Sequence, residues 1–249
     1  MTDILKRTFF RRLECLLPEQ IKIALQLCEI STMHATMPPW QAVFFDFDGV
    51  IADSTDVKAR AFATLFAPYG ADVQEAVVRY HLDNGGMPRH EKIRHCFITY
   101  AGKQVTETEL AQAGATFSSL VLEEVVLAPL IPGALMSLQQ LQQMNIPAFV
   151  VSGTPHDEMQ LIVQRKGLGY FFQEVHGSPS SKAAIITDIL TRYSFTPDRC
   201  LFIGDALADY QAAESTGLCF QGIVPHGASS SIFPENVRTS AVVTLSLYR

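Results

Sequence analysis

The chain has 249 residues, enough for one large domain or for a core with a smaller inserted domain. Its content of 48% hydrophobic and 18% charged residues is typical of a globular protein and excludes a disordered or fibrous one. The formal net charge of -6 gives no electrostatic reason to expect nucleic acid or an anionic membrane as a partner.

The five cysteines are odd in number and widely spaced, and no C-x-x-C pair indicates a zinc or redox site. We therefore expect reduced thiols. The basic residues near the N-terminus are not followed by an uninterrupted apolar run, so a signal peptide is not expected. No stretch approaches the roughly 20 apolar residues of a membrane-spanning helix. These features favour a cytoplasmic protein.

Residues 1–37 precede the first strong strand, and Pro18 followed by a helical apolar pattern up to Cys28 predicts a helix. Its apolar face either packs on the domain or forms a dimer contact, so we expect a monomer or a homodimer. Translation from Met33 or Met37 is a further alternative.

An apolar run from Ala42 to Phe45 predicts a buried parallel strand that ends in Asp46 and Asp48. From about residue 56 to 128 apolar residues recur at helical spacing without a convincing strand, which predicts a helical insertion. One turn signal interrupts it, Asn84-Gly85-Gly86-Met87-Pro88, and Arg89 and Lys92 follow at once.

Strands and helices then alternate. We predict helices over 133–144, 156–167, 181–193 and 207–216, and strands over 146–151, 174–175, 200–203, 219–224 and 241–247. This order predicts an α/β fold: a Rossmann-like, doubly wound parallel sheet with an inserted α-helical cap. The predicted boundaries are an N-terminal extension at 1–37, a core at 38–57 and 130–249, and a cap at 58–129.

Polar side chains follow three of the buried strands. These are Asp46 with Asp48, Ser152 with Gly153 and Thr154, and Gly204 with Asp205. Ligands bind outside the carboxyl ends of parallel strands, so these residues are expected to converge. Asp209 follows Asp205 by four positions and shares its helix face, and Lys182 begins a helix on the same side.

This set of residues is complete for phosphoryl transfer. Asp46 would be the nucleophile and Asp48 the general acid and base. The Asp46 carboxylate, the Asp48 backbone carbonyl and Asp205 would hold Mg²⁺, with Asp209 in support. Ser152, nearby backbone N–H groups such as that of Gly153, and Lys182 would hold the phosphoryl oxygens.

These motifs resemble those of the haloacid dehalogenase-like (HAD) hydrolases, in particular the branch of the phosphoglycolate phosphatases and β-phosphoglucomutases. The resemblance spans residues 40 to 225, with Asp46-Phe47-Asp48-Gly49-Val50, Ser152-Gly153-Thr154, Lys182, and Gly204-Asp205 with Asp209 as its four motifs. It implies a Rossmann-like core with a helical cap. It also implies a specificity loop from the cap, for which Gly86, Arg89 and Lys92 are the candidate substrate-binding residues.

Three functions are left open. A Mg²⁺-dependent phosphatase acting on a small phosphorylated metabolite through an aspartyl-phosphate is favoured. A phosphomutase would use the same aspartates, but the related mutases usually have a histidine where this chain has Lys58. A non-catalytic binding or regulatory module would keep the fold without turnover.

Overall fold

The computed structural model describes residues 40–224 and 232–245. The helix predicted near residues 18–28 lies outside them. The strands are β1 (Ala42–Phe45), β2 (Ala148–Pro155), β3 (Glu174–Ser178), β4 (Cys200–Gly204), β5 (Cys219–Ile223) and β6 (Arg238–Ser240). The helices are α1 (Thr55–Phe66), α2 (Ala71–Asp83), α3 (Arg89–Thr99), α4 (Glu107–Leu127), α5 (Ala134–Gln143), α6 (His156–Arg165), α7 (Lys182–Tyr193) and α8 (Leu207–Thr216).

The six strands form one parallel sheet in the order β3-β2-β1-β4-β5-β6. The chain builds β1, β2 and β3 in one direction, then crosses back to place β4 on the other side of β1. This reversal of strand order is the position at which doubly wound sheets form a crevice at their carboxyl edge. The predicted fold class is confirmed.

The sheet is buried on both faces because its strands are apolar at successive positions. Phe44, Phe149 and Phe202 lie on one face, where α7 and α8 cover them. The alternate residues Val43 and Ile203 point to the opposite face and are also fully buried. A sheet that is covered on both sides leaves mainly its carboxyl edge for a ligand.

Residues 55–127 contain four of the helices, α1 to α4, and no strand of the sheet. Helix α4 begins with a capping box, in which Thr106 and Glu109 exchange hydrogen bonds. By length and composition alone, α4 is apolar enough to span a membrane, and no other helix of the described chain meets that criterion. Its buried residues, which include Phe117 and Val121, pack against other helices as in a folded domain. The boundaries predicted for the cap stay predictions.

The predicted last strand at 241–247 is wrong over the part that the structure describes. The sixth strand is instead the polar segment Arg238–Ser240, which lies at the sheet edge. The apolar side chains that prompted the prediction, Val243 and Leu245, are buried. Val243 bonds through its backbone to Pro132 and to the hydroxyl of Ser137, so its hydrophobicity reflects packing at the start of α5.

Strand β2 begins at Ala148, two residues later than predicted, and extends to Pro155 instead of ending at Val151. The extension pairs with β3, where Pro155 lies opposite Ser178 after a register shift. Ser152, Gly153 and Thr154 therefore belong to the end of a strand, which fixes their direction. These three residues lie in the irregular stretch between the paired residues Val151 and Pro155.

Candidate active site

The carboxyl ends of β1, β2 and β4 bring the predicted polar residues to one cavity of about 680 Å³. Asp46, Asp48, Ser152, Gly153 and Asp205 line its floor. Residues of α1 to α4 and of the loop before α3 line its opposite side. The cavity thus lies between the sheet edge and the helical insertion.

Asp46 lies directly after β1, and its backbone N–H donates to the carbonyl of Ile203 on β4. The side chain is buried, and its Oδ1 lies 3.2 Å from the ammonium of Lys182. That ion pair does not meet hydrogen-bond geometry, so Asp46 Oδ1 has no hydrogen-bond partner in the described chain. Burial raises the pKa of Asp46 to about 7; Lys182 opposes this shift, and repulsion from Asp209 adds to it.

Lys182 begins α7, after the side chain of Ser181 has capped the helix by accepting from the N–H of Ala184. Its ammonium donates to Asp209 Oδ1. Burial alone would lower the pKa of Lys182, but the carboxylates of Asp209 and Asp46 raise it above its usual value. Lys182 is therefore a fixed positive charge between two aspartates.

Asp209 is fully buried in the first turn of α8. Its Oδ2 accepts from the backbone N–H of Ala206 at 3.0 Å, and its Oδ1 accepts from Lys182. Both oxygens are thus engaged, one in capping the helix and one in holding the lysine. Asp209 is placed to support the cluster.

Asp205 follows β4 and completes a group of three carboxylates. One oxygen from each of Asp46, Asp205 and Asp209 lies within 4.8 Å of the others. Burial and the negative charges of Asp46 and Asp209 raise the pKa of Asp205 well above its usual value. Gly49, at φ +76°, makes room for this carboxylate, because a Cβ there would lie 2.0 Å from Asp205 Oδ2.

The acidic cluster fits a divalent cation. It offers hard oxygen ligands, mutual repulsion that a cation would relieve, and in Asp46 Oδ1 a buried oxygen without a hydrogen bond. Lys182 neutralises only part of the charge of the cluster.

Asp48 has different surroundings from its neighbour Asp46. Its Oδ1 accepts from Ser54 at 2.6 Å, and its Oδ2 accepts from the ammonium of Lys58 and from Thr154 at 3.2 Å. Burial raises the pKa of Asp48, but the Lys58 charge and these hydrogen bonds lower it more, so the net shift is downward. The pKa values of the two aspartates are therefore shifted in opposite directions.

The turn that precedes α3 reaches the sheet edge. At Gly86, with φ +73°, a Cβ would lie 3.1 Å from Ala208 and 3.4 Å from Lys182 Nζ. A Cβ on Gly153 would lie 2.8 Å from the backbone oxygen of Gly86. Gly86 and Gly153 thus allow the backbone of the turn before α3 to approach the backbone at the end of β2 closely.

Arg89 lines the cavity but is held by protein groups. Its guanidinium donates to both carboxylate oxygens of Glu158, at 2.8 and 2.5 Å, and to Ser118 at 2.7 Å. It also lies 4.5 Å from the ring centroid of Phe117. Hydrogen bonds and the positive charge of Arg89 lower the pKa of Glu158 against the opposing effect of burial. Substrate binding by Arg89 stays a prediction.

Lys92, one helical turn further along α3, also lines the cavity. Its ammonium lies 3.1 Å from Nδ1 of His81 and 3.4 Å from the His81 carbonyl oxygen. Burial lowers the pKa of Lys92 to about 7, and the nearby charge of Lys58 adds to this.

Sequence reasoning omitted several of these residues from the candidate site. The sequence marks Lys58 only as a departure from the mutase pattern, whereas its ammonium contacts both Asp48 and Thr154. Thr154 is among the residues expected to converge, but the sequence assigns no role to its hydroxyl, which donates to Asp48. Glu158 and His81 carry no local signal, because their roles depend on contacts that form only in the folded chain.

A model of the haloacid dehalogenase-like hydrolases matches residues 40–217. The chain belongs to the haloacid dehalogenase-like hydrolase family. The matched region covers every candidate site residue from Asp46 to Asp209, so the predicted family is confirmed.

Curated relatives of this HAD-like hydrolase include a phosphoglycolate phosphatase of Pseudomonas savastanoi pv. phaseolicola. It is 25% identical over 71% of this chain and 66% of its own length. A validoxylamine A 7'-phosphate phosphatase of Streptomyces hygroscopicus subsp. limoneus is 25% identical over 74% of this chain and 85% of its own length. The chain thus spans about two thirds of the first relative and most of the second.

Among solved structures, a β-phosphoglucomutase from Clostridium difficile aligns with a TM-score of 0.61 at 18% identity. The alignment covers 75% of this HAD-like hydrolase and 86% of the mutase. Identity this low establishes a shared fold and leaves the reaction to be argued from the site.

Proposed function

We propose that this chain is a Mg²⁺-dependent phosphatase that hydrolyses a small phosphorylated metabolite through an aspartyl-phosphate on Asp46. The observation that carries the proposal is the convergence of Asp46, Asp48 and Asp205 on one cavity, with the ammonium of Lys182 3.2 Å from the Asp46 carboxylate. The enzyme class, a phosphoric monoester hydrolase, is confirmed by the family match together with relatives named as phosphatases.

In the first step Asp46 attacks the phosphorus atom, and the bond to the leaving oxygen breaks. Asp48, in its protonated form, gives its proton to that oxygen. In the second step water attacks the phosphorus of the aspartyl-phosphate, Asp48 takes a proton from the water, and Asp46 leaves as a carboxylate. The hydrogen bonds from Ser54 and Lys58 favour the ionised Asp48 that this second step needs.

Lys182 lies 3.2 Å from the nucleophilic carboxylate, where its fixed charge would offset negative charge on the phosphoryl oxygens. Ser152 and the backbone N–H of Gly153 would hold the same oxygens from the end of β2. The carboxylates of Asp46 and Asp205 and the backbone carbonyl of Asp48 would hold the metal, with Asp209 supporting Lys182. When bound, Mg²⁺ supplies charge stabilisation and alignment for the transferred group.

A screen for phosphate release tests this proposal. The purified protein is incubated with Mg²⁺ and a panel that contains phosphoglycolate, sugar phosphates, nucleotides and an aryl phosphate. We expect Mg²⁺-dependent release from at least one small phosphomonoester. Interconversion of sugar phosphates without release would instead establish the phosphomutase alternative. A folded protein that turns over none of the panel would favour the binding or regulatory module. The cytoplasmic location and the oligomeric state stay predictions.

A further inference from the structure

The side of the cavity formed by the helical insertion carries two basic side chains on α3, Arg89 and Lys92, in different electrostatic surroundings. The charge of Arg89 is matched by the buried carboxylate of Glu158. Lys92 is 3% exposed, and within residues 40–224 and 232–245 no carboxylate forms an ion pair with it. A buried ammonium without a counter-charge is costly to a folded protein.

The other groups that face Lys92 do not supply a negative charge. Lys58 on α1 and Lys182 on α7 are positive and repel it. Cys96, on its own helix, is a neutral thiol because burial raises its pKa to about 12. The carboxylate of Asp48, which partly opposes the lowering of the Lys92 pKa, is already paired with Lys58.

His81 on α2 is the remaining neighbour, and it accepts from Lys92 without supplying a negative charge. Burial and the charge of Lys92 lower the pKa of His81 to about 3, so the ring is neutral. When Nδ1 accepts from Lys92, the ring proton resides on Nε2. That Nε2 is buried and has no partner with hydrogen-bond geometry in the described chain, although the backbone of Thr55 faces the ring.

We propose that Lys92, held in place by His81, is the subsite for a second acidic group of the substrate, a carboxylate or a further phosphoryl group. This inference rests on the proposed function, since the first acidic group is the phosphoryl group at Asp46. Asp46 and Lys92 line the same cavity, whose wall also carries the apolar rings of Phe62 and Phe117, with Lys92 Nζ 5.9 Å from the centroid of Phe62. A short molecule with an acidic group at each end matches these surfaces.

The first test compares two substrates that differ only at the far end: phosphoglycolate and the uncharged 2-hydroxyethyl phosphate. For each enzyme the ratio of the two kcat/KM values is measured, which cancels effects on the shared phosphoryl chemistry. We expect Lys92→Met to lower the preference for phosphoglycolate by about tenfold or more, the effect of losing a charge-assisted hydrogen bond. Lys103→Met is the matched control, because Lys103 lies on the outside of the insertion and pairs with Glu109. An unchanged ratio in Lys92→Met would overturn the proposal.

The second test uses unmutated Lys92 and so does not depend on the folding of a variant. The same ratio is measured in the wild-type enzyme between pH 6 and pH 9. Because burial lowers the pKa of Lys92 to about 7, the preference for the acidic substrate is expected to fall as pH rises above that value. A ratio that is constant over this range would contradict the subsite.

Binding separates a failure of this inference from a failure of the proposed function. Calorimetric titration of phosphoglycolate is compared between Asp46→Asn and Asp46→Asn/Lys92→Met. If neither substrate is turned over by the wild-type enzyme, the phosphatase proposal fails for them, but a tenfold weaker affinity in the double variant still supports the subsite. Equal affinity, or no binding by either variant, removes Lys92 from substrate recognition.

Discussion

The guanidinium of Arg89 and the carboxylate of Glu158 form a bidentate ion pair between α3 of the helical insertion and α6 beside the sheet. The side chains are 7% and 9% exposed, so the pair is nearly dry. Its geometry joins the wall of the cavity to the sheet-bearing core. Removing one partner would leave the other charge buried and uncompensated.

Glu158→Gln is therefore expected to lower the free energy of unfolding by about 3 kcal/mol, the scale for breaking a buried pair. The double variant Arg89→Met/Glu158→Met is expected to recover part of that loss, since no charge is left unpaired. Urea denaturation measures both. Glu75→Gln, which breaks an exposed pair with Arg79, is the control, and a loss in Glu158→Gln no larger than in this control would contradict the account.

The same pair gives an acid dependence of stability. Arg89 holds the pKa of Glu158 below its usual value, so the contribution of the pair is fully present above the pKa of an unfolded glutamate. It is lost as the pH falls through the lower pKa of the folded state. The stability difference between wild type and Glu158→Gln is thus expected to shrink on acidification below about pH 4.5, where the unfolded glutamate titrates. A difference that grows on acidification would have the wrong sign.

Gly153→Ala tests the close approach of the turn before α3 to the end of β2. The added Cβ would lie 2.8 Å from the Gly86 oxygen and 3.2 Å from the Met87 oxygen, both of them backbone atoms that cannot move alone. We expect the turn to be displaced and kcat/KM to fall by tenfold or more, because misplacement of this size disturbs the reacting geometry. Gly114→Ala on α4 is the matched control, since a Cβ there meets nothing within 4 Å. Equal activity of the two variants would show that the turn does not need this approach.

Lys58→Met tests the protonation of Asp48. Lys58 is the main group that lowers the pKa of Asp48 against the effect of burial, so its removal is expected to raise that pKa. Because kcat/KM reports the first step, in which Asp48 must be protonated, the basic limb of the pH profile of kcat/KM should move to higher pH. A basic limb at the wild-type position would mean that another group controls it.

Metal binding is expected to stabilise the folded chain. A cation at Asp46 and Asp205 would relieve the repulsion that contributes to their raised pKa values. Mg²⁺ at one hundred times its dissociation constant would add about 2.7 kcal/mol, visible as a higher Tm. The shift should diminish below pH 7, because protons compete for Asp46 with its pKa of about 7. Asp205→Asn should abolish most of it, and a shift of wild-type size in that variant would place the cation elsewhere.

The strand ends could be predicted from the sequence because each is a local pattern, an apolar run followed by polar residues. Parallel pairing then determines that Asp46, Ser152 and Asp205 meet at one edge. The prediction of the last strand was wrong for a physical reason. Val243 is apolar because it packs near the start of α5, whereas the strand at the sheet edge is polar and needs no buried side chains.

The partners of Arg89 and Lys92 could not be predicted from the sequence. Arg89 and Lys92 look alike as two basic residues three positions apart on one helix. What distinguishes them is Glu158, which lies 69 positions from Arg89 and reaches it only in the folded chain. Whether a buried charge has a counter-charge from a distant part of the chain can be seen only in the tertiary structure.

The most direct measurement of the central claim is phosphate release by wild type and Asp46→Asn, side by side with Mg²⁺ and the best substrate of the panel. If Asp46 is the nucleophile, the amide cannot form the aspartyl-phosphate, and release is expected to fall by at least about a thousandfold while the variant stays folded. Turnover by a folded Asp46→Asn variant within tenfold of wild type would contradict the account.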